Sequence, residues 1–294
     1  MIKYLSSVVF VALFLLTGCG TTPEKERTEP PEVLYREAIA DLQSGRYTAA
    51  TKLFQEIDQK HPFSPWALRS QLVVIYTQFK KEEYDEAAAA AERFIRLHPR
   101  HASVAYAYYM RGLADFMRIS DPLRDQNRTR QAAVALREVI ARFPDSDYAQ
   151  EAQRMLKLCN DRMAAQEVVI GRFYLDRDEF IAAANRFRRV VEHPDFSRTP
   201  YAEEALFSLV LTSLHLGMSE DARHYAAVLG HNFPQSMFYR QTRLMVDNQG
   251  TLSKDDLLAL RSSLDEKSIL KGFFEGIGPG VPGLTDQVMS PQRK

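Results

Sequence analysis

The chain has 294 residues, of which 45% are apolar and 26% are charged, and this is the composition of an ordinary globular protein. Its 38 basic and 38 acidic side chains give a formal net charge of zero. DNA-binding domains usually carry a clear excess of Lys and Arg, so we expect no nucleic acid among the partners.

The first 18 residues have the pattern of a secretory signal peptide. Lys3 gives a positive start, and the apolar run over residues 4–16 is shorter than the ~20 residues that a membrane-spanning helix needs. The next segment, Leu16-Thr17-Gly18-Cys19, resembles the lipobox of bacterial lipoproteins. That resemblance implies three acyl chains on Cys19, which anchor a protein firmly. The alternative is a signal peptide followed by an incidental cysteine.

The residues after the predicted anchor bear on location. Gly20 follows Cys19, and in lipoproteins of this type the absence of an aspartate there favours transfer to the outer membrane. Residues 19–31 are rich in Thr, Pro and Glu, which predicts a flexible tether. We therefore expect a protein held by its lipid anchor on the periplasmic face of the outer membrane.

Cys159 is the other cysteine of the chain. If Cys19 is lipidated, no disulfide can form within the chain. Leu156, Leu158 and Met163 surround Cys159 in the sequence, so we predict a small core residue rather than a reactive thiol.

Internal repetition dominates residues 32–247. Five units each end in a histidine or phenylalanine followed by proline, at His61-Pro62, His98-Pro99, Phe143-Pro144, His193-Pro194 and Phe233-Pro234. Within a unit, apolar residues recur three and four apart, as Ala50, Phe54 and Ile57 do in the first. This spacing places one apolar stripe on a helix.

The repeats resemble the tetratricopeptide repeat (TPR), which has two helices and a period of about 34 residues. The resemblance implies an all-α fold, an α-solenoid of five helix pairs with short C-terminal capping helices. Two departures stand out. Residues 117–130 are an insertion that we predict to be a surface loop, and residues 147–175 lack turn signals, which predicts one long helix. Gly112 and Gly171 mark places where helices pack closely.

The repeat pattern weakens after Pro234. Residues 236–246 are a candidate capping helix. We predict a further helix within 248–271, beginning at Ser253 as N-cap. The segment 272–294 is rich in Gly and Pro, which predicts a disordered tail.

No motif of a known catalytic class is present in the sequence, neither a zinc-peptidase helix nor a nucleophile elbow nor a phosphate-binding loop. His98 and His101 are three residues apart, but Pro99 interrupts the helix between them. His61 and His193, like His98, precede a repeat-ending proline and are predicted at helix C-termini, where a cation meets the negative end of the helix dipole. We therefore expect no enzyme, no metal and no cofactor.

Aromatic residues near the first junctions are candidates for binding a peptide. Pro62-Phe63-Ser64-Pro65-Trp66 joins the first two units and contains the only tryptophan. Phe63 and Trp66 either pack this junction or form an aromatic wall for an extended peptide. Tyr106, Tyr108 and Tyr109 lie within four residues, so at least one should be exposed or line a groove. We assign Phe63, Trp66, Tyr106 and Tyr109 to a candidate substrate-peptide groove.

Basic residues of the fourth unit are candidates for binding a partner protein. Arg186, Arg188 and Arg189 cluster on its second predicted helix. They form either a solvated face or a patch that pairs with carboxylates, for which the planar guanidinium is well suited.

Several segments together resemble one family. They are Pro62-Phe63-Ser64-Pro65, the run from Arg93 to Pro99, Tyr109-Met110-Arg111-Gly112-Leu113, the loop Arg124-Asp125-Gln126, Phe143-Pro144-Asp145-Ser146 and Asn185-Arg186. With the lipobox and the repeats, they are similar to the BamD (ComL-type) lipoproteins of the outer-membrane β-barrel assembly (BAM) machine. The resemblance covers residues 12–240 and singles out Arg124 and Asp125 as loop residues.

The resemblance implies a non-catalytic scaffold. Its C-terminal repeats would bind a periplasmic POTRA domain of the barrel-forming subunit BamA, with Asn185, Arg186 and Arg189 facing that partner. Its N-terminal repeats, with Phe63 and Trp66, would receive the C-terminal segment of unfolded outer-membrane proteins. Other BAM lipoproteins would be further partners. The alternative is another periplasmic TPR lipoprotein, such as a pilotin or a cell-division coordinator.

Overall fold

A computed structural model of the chain describes residues 29–119 and 126–247. These residues form eleven α-helices and no strand. The helices are α1 (Pro31–Gln43), α2 (Tyr47–Lys60), α3 (Pro65–Lys80), α4 (Tyr84–Leu97), α5 (Val104–Met117), α6 (Gln126–Arg142), α7 (Asp147–Leu175), α8 (Phe180–Glu192), α9 (Tyr201–His215), α10 (Ser219–Asn232) and α11 (Met237–Asp247). Cys19, the predicted signal peptide and the predicted helix and tail over 248–294 lie outside the described residues.

Each helix packs against the next along the chain, so that α1 to α10 form five consecutive helix pairs. The short helix α11 covers the last pair by contacting α9 and α10. The predicted all-α solenoid of five pairs with a capping helix is therefore confirmed. The apolar stripes explain the pairing, since Ala50, Phe54 and Ile57 are all fully buried.

The two helices of a repeat form two distinct layers. The first helices, α1, α3, α5, α7 and α9, each contact the first helix of the next repeat. The second helices, α2, α4, α6, α8 and α10, make no comparable contacts with one another among the described residues. The closely spaced first helices therefore line the concave side of the solenoid, and grooves separate the second helices on the convex side.

Local signals explain where helices begin and turn. The side chains of Ser64 and Ser146 cap α3 and α7 by accepting hydrogen bonds from the backbone N–H groups of Ala67 and Ala149. The turn inside the first repeat needs a left-handed residue, and Gly45 has φ of +74° there.

The predicted long helix is confirmed, because α7 runs without a break from Asp147 to Leu175, over 29 residues. It belongs to both apolar cores of the solenoid. Met163 on α7 is part of the core formed with the N-terminal repeats, and Ala164 is part of the core formed with the C-terminal repeats.

The prediction of a surface loop over 117–130 is wrong at its C-terminal end. Helix α5 ends at Met117 as expected, but α6 already begins at Gln126. Thr129 is fully buried and lies three residues before the buried Ala132, so it extends the inward stripe of α6 by a turn. The neighbouring charges are compatible with a helix because Arg130 lies on its exposed face.

The predicted helix-terminal histidines are confirmed. His61, His98 and His193 are the C-cap residues of α2, α4 and α8. All three residues thus lie at the negative ends of their helices, the position at which a cationic side chain is favoured.

Candidate functional site

The corner between the first two repeats presents Phe63 to solvent. The Phe63 side chain is fully exposed, which is unusual for a large apolar residue. Its position follows from the start of α3, where Ser64 caps the helix and Pro65 occupies the first turn. The backbone before Ser64 therefore cannot continue the helix, and Phe63 extends outward from the corner.

Trp66 follows Phe63 by three residues and has a different environment. Its ring is half-buried and lies 4.9 Å from the ring of Tyr35 on α1, measured between centroids. The guanidinium of Arg69 lies 5.1 Å from the centroid of the Trp66 ring. Trp66 thus joins the first two repeats while keeping part of its surface accessible. Of the two aromatic residues predicted at this corner, Trp66 packs against a neighbouring helix and only Phe63 is fully exposed.

The tyrosines assigned to the groove are core residues. Tyr106, Tyr108 and Tyr109 are all buried, so the expectation that at least one of them is exposed or lines a groove is wrong. Tyr106 and Tyr109 are fully buried, and their rings lie 5.8 and 5.6 Å from that of Tyr148 on α7. Tyr108 is also buried, with Arg111 and Arg142 over its ring. Helix α5 is surrounded by α3, α4, α6 and α7, so it is buried around most of its circumference.

Burial also explains the chemistry of these phenols. Loss of hydration disfavours the phenolate, and it raises the pKa of Tyr106 and Tyr109 well above the ordinary value. Both side chains therefore remain neutral core groups, and neither belongs to the candidate groove.

Asn185, Arg186 and Arg189 lie together on α8, and the two arginines contact a carboxylate of α7. The guanidinium of Arg186 donates to one oxygen of Glu167 at 3.2 Å, and that of Arg189 donates to the other at 3.5 Å. The Oδ1 atom of Asn185 accepts a hydrogen bond from Arg188 at 3.0 Å. One carboxylate thus orients two cations, which leaves a positive excess at the surface.

The two arginines differ in accessibility. The side chain of Arg186 is 29% exposed and that of Arg189 is 62% exposed. Arg189 is therefore the more available group, whereas Arg186 is partly held against α7. With 29% of its side chain exposed, Arg186 is still partly accessible to a partner.

Sequence reasoning missed Ile181 as part of this surface. Ile181, Asn185 and Arg189 are spaced by four residues, so they form one line along α8, and all three are exposed. We call Ile181, Asn185, Arg186 and Arg189 the α8 face. The only signal in the sequence for this surface was an apolar residue, Ile181, at the spacing of four that connects it to the polar residues Asn185 and Arg189.

Other predicted features contribute no site in the part of the chain that is described. The loop residues Arg124 and Asp125 lie outside it. Over residues 29–119 and 126–247, no three His, Cys, Asp or Glu side chains are grouped so as to hold a metal ion. Within the same residues, no helix is both long and apolar enough to cross a membrane.

The chain is similar to several curated proteins that share one name, outer membrane protein assembly factor BamD. It is 38% identical to the protein of Caulobacter vibrioides over 239 residues, which cover 79% of this chain and 77% of the relative. It is 35% identical to that of Rickettsia prowazekii over 247 residues, with coverages of 84% and 97%. Identity to that of Neisseria meningitidis serogroup A is 39% over 218 residues, with coverages of 70% and 80%.

Residues 27–246 also match the family YfiO, which is described as outer membrane lipoprotein. The matched range contains all the described helices except the last residue of α11, and it includes the exposed corner and the α8 face. The chain therefore belongs to the YfiO family of outer membrane lipoproteins.

Proposed function

We propose that the chain is a non-catalytic scaffold of the outer-membrane β-barrel assembly complex. The observation that carries this function is the similarity, over most of the chain, to relatives named as outer membrane protein assembly factors. The chain functions in outer membrane protein assembly, in association with the outer membrane, and it is not an enzyme. The finer proposal is that three acyl chains on Cys19 hold it on the periplasmic face.

The α8 face is the proposed binding surface for a POTRA domain of BamA. Arginine is enriched where proteins bind one another, and here the exposed apolar side chain of Ile181 lies in line with Arg189. Glu167 holds the guanidinium groups of Arg186 and Arg189 in place before a partner arrives. A carboxylate of the partner would then meet two oriented cations at little cost in side-chain entropy.

The corner at Phe63 is the proposed contact for unfolded outer-membrane proteins. The C-terminal strand of such a substrate is extended and carries alternating apolar side chains, so a protruding aromatic ring offers it a suitable surface. Trp66, three residues further along the chain, adds a partly accessible ring. Contact with two aromatic side chains favours weak, reversible binding, which suits a substrate that has to be passed on. Other lipoproteins of the complex are further proposed partners of the same scaffold.

Co-purification tests the BamA interface. Arg186→Glu would place a carboxylate beside Glu167, so we choose the neutral changes Arg186→Gln and Arg189→Gln. We expect the double variant to recover severalfold less BamA from detergent-solubilised membranes while its helical content is unchanged. Arg36→Gln is the matched control, because Arg36 is an exposed arginine that also pairs with a carboxylate, that of Glu32, but lies on α1. Absence of BamA from the wild-type purification would show that the scaffold proposal is wrong.

A peptide titration with paired unfolding curves tests the corner. We expect Phe63→Ala to weaken binding of a C-terminal peptide from an outer-membrane protein and to change the free energy of unfolding by less than about 0.5 kcal/mol. Trp66→Ala should lower the free energy of unfolding by about 3 kcal/mol, because its ring packs on Tyr35. Unchanged peptide affinity in Phe63→Ala would remove this corner from the substrate site.

A further inference from the structure

A cavity of 310 Å³ lies on the convex side of the solenoid, away from the surfaces described above. It occupies the groove between α2 and α4, and α3 forms its floor. Its lining residues come from those three helices: Gln55, Asp58, Gln71, Val74, Gln78, Glu86, Ala89, Ala90, Arg93 and Phe94. The layer of second helices leaves this groove open because α2 and α4 pack on α3 rather than on each other.

One end of the cavity is closed by a network of hydrogen bonds. The Gln71 amide donates to Oδ1 of Asp58 at 2.6 Å, and Arg93 donates to Oδ2 of Asp58 at 3.0 Å. The Gln71 carbonyl oxygen lies 3.0 Å from Nε2 of His98 and accepts a hydrogen bond from it. The polar groups at this end bond to one another, which helps to fix the shape of the cavity.

The other end offers acceptors without partners. Gln78 lies two helical turns after Gln71 on α3. Glu86 lies two turns before Arg93 on α4, which runs antiparallel to α3. Gln78 and Glu86 therefore line the end of the cavity opposite the network. The Oε1 atom of Gln78 is buried and accepts no hydrogen bond. Within the described residues, the exposed carboxylate of Glu86 has no ion pair.

These groups call for a ligand that donates hydrogen bonds and carries positive charge. A buried acceptor without a partner costs about 1–3 kcal/mol, so a donor that reaches Gln78 recovers that cost. The ionised groups of the lining are Asp58, Glu86 and Arg93, which leaves one net negative charge. Ala90 and Val74 supply an apolar wall for an aliphatic stem.

We propose that this cavity binds an arginine or lysine side chain carried on an extended segment of a partner polypeptide. The volume lies at the lower end of the range of about 300–1,000 Å³ for ligand sites, so it suits one inserted side chain. Gln55 and Ala89 lie on the exposed rim, where an amide can pair with the backbone of the segment. The site goes beyond the proposed scaffold function, because it is separate from both the Phe63 corner and the α8 face.

Isothermal titration of the full-length protein in detergent tests the proposal. The probe is the blocked pentapeptide Ala-Thr-Arg-Thr-Ala, and a second peptide replaces arginine by neutral citrulline. We expect saturable binding of the arginine peptide and at least about fivefold weaker binding of the citrulline peptide. Glu86→Gln and Gln78→Leu should each weaken the arginine peptide by at least about fivefold.

Glu92→Gln is the matched control, because Glu92 is on the same helix but faces the next groove along the solenoid. It should change the affinity by less than about twofold. If Glu92→Gln weakened the arginine peptide as much as Glu86→Gln does, the peptide would be attracted by the overall negative charge of the helix, and the proposed site would be wrong. Absence of saturable binding, or binding of N-acetylarginine methylamide as tight as that of the pentapeptide, would also overturn it. Glu86 is exposed, so Glu86→Gln keeps the test valid even if Gln78→Leu fails to fold.

Discussion

Gly171 on α7 lies directly against the ring of Phe187 on α8. A Cβ atom at position 171 would stand 2.5 Å from Cε1 of that ring. Phe187 is fully buried and cannot move aside without disturbing the core. We expect Gly171→Ala to lower the free energy of unfolding by about 1–3 kcal/mol through overpacking, as measured by urea denaturation.

Two further variants distinguish overpacking from a general effect of alanine. At Gly112 the added atom would meet the flexible end of Leu136 at 3.1 Å, so Gly112→Ala should cost less than Gly171→Ala. Phe187→Leu should recover part of the loss when it is added to Gly171→Ala. Equal costs at the two glycines would contradict the contact described here.

Arg172 on α7 pairs with Glu204 on α9, and the Glu204 side chain is only 2% exposed. Arg172→Met removes this partner from a buried carboxylate, and we expect a loss of about 3–5 kcal/mol in the free energy of unfolding. Replacing both residues, as Arg172→Met with Glu204→Leu, should restore most of it. Arg189→Met is the exposed counterpart and should cost at most about 1 kcal/mol. If Arg172→Met and Arg189→Met lowered the free energy of unfolding by similar amounts, burial of the Arg172–Glu204 pair would not contribute to the loss.

Asp161 predicts a pH-dependent contribution to stability. Its side chain is buried in the middle of α7, and its Oδ1 atom accepts no hydrogen bond. Burial raises the pKa of Asp161, and Lys157 offsets this in part. The folded state therefore holds the proton more tightly than the unfolded state, whose pKa is near the ordinary value of 3.8. The free energy of unfolding therefore falls as the pH rises from the unfolded-state pKa to the higher folded-state pKa.

Removal of the charge should reverse this loss. We expect Asp161→Asn to have a higher Tm than the wild type at pH 7 and the same Tm at pH 3, in paired calorimetric scans. An equal difference in Tm at both pH values would assign the effect to packing rather than to ionisation.

Cys159 should be inert in the folded protein. Burial raises the pKa of its thiol to about 12, so at pH 8 the thiolate population is roughly 10³-fold below that of an ordinary cysteine. Alkylation by iodoacetamide, followed at Cys159 by peptide mass spectrometry, should require denaturant. Phe63→Cys supplies the control, because that position is fully exposed and its thiol should react at once. Equal rates at positions 63 and 159 would contradict a buried thiol.

The periodicity of the sequence was sufficient to predict the helix pairs, the length of α7 and the close contacts at Gly112 and Gly171. These features depend on side chains within one helix or one pair, where spacing of three and four residues determines the buried face. Tyr106 and Tyr109 were misassigned because exposure depends on how many neighbours surround a helix. The position of α5 in the middle of the solenoid is a tertiary property that its own periodicity does not contain.

The cavity on the convex side could not be predicted from the sequence either, because it also depends on tertiary packing. Gln71 and Gln78 on α3 look like the polar face of any helix, as do Gln55 and Glu86 on their own helices. Only the packing of three helices brings these side chains to one place. The separate environments of Phe63 and Trp66 likewise depend on the geometry of one capped turn.

The uninterrupted course of α7 sets the rotational phase between the two halves of the molecule. Both apolar cores include residues of this one helix, so the halves cannot swivel independently about its axis. An extra residue within α7 would turn one half against the other by about 100° and shift it by about 1.5 Å. The direction in which the Phe63 corner points, as seen from the α8 face, is thus encoded in the number of residues between Asp147 and Leu175.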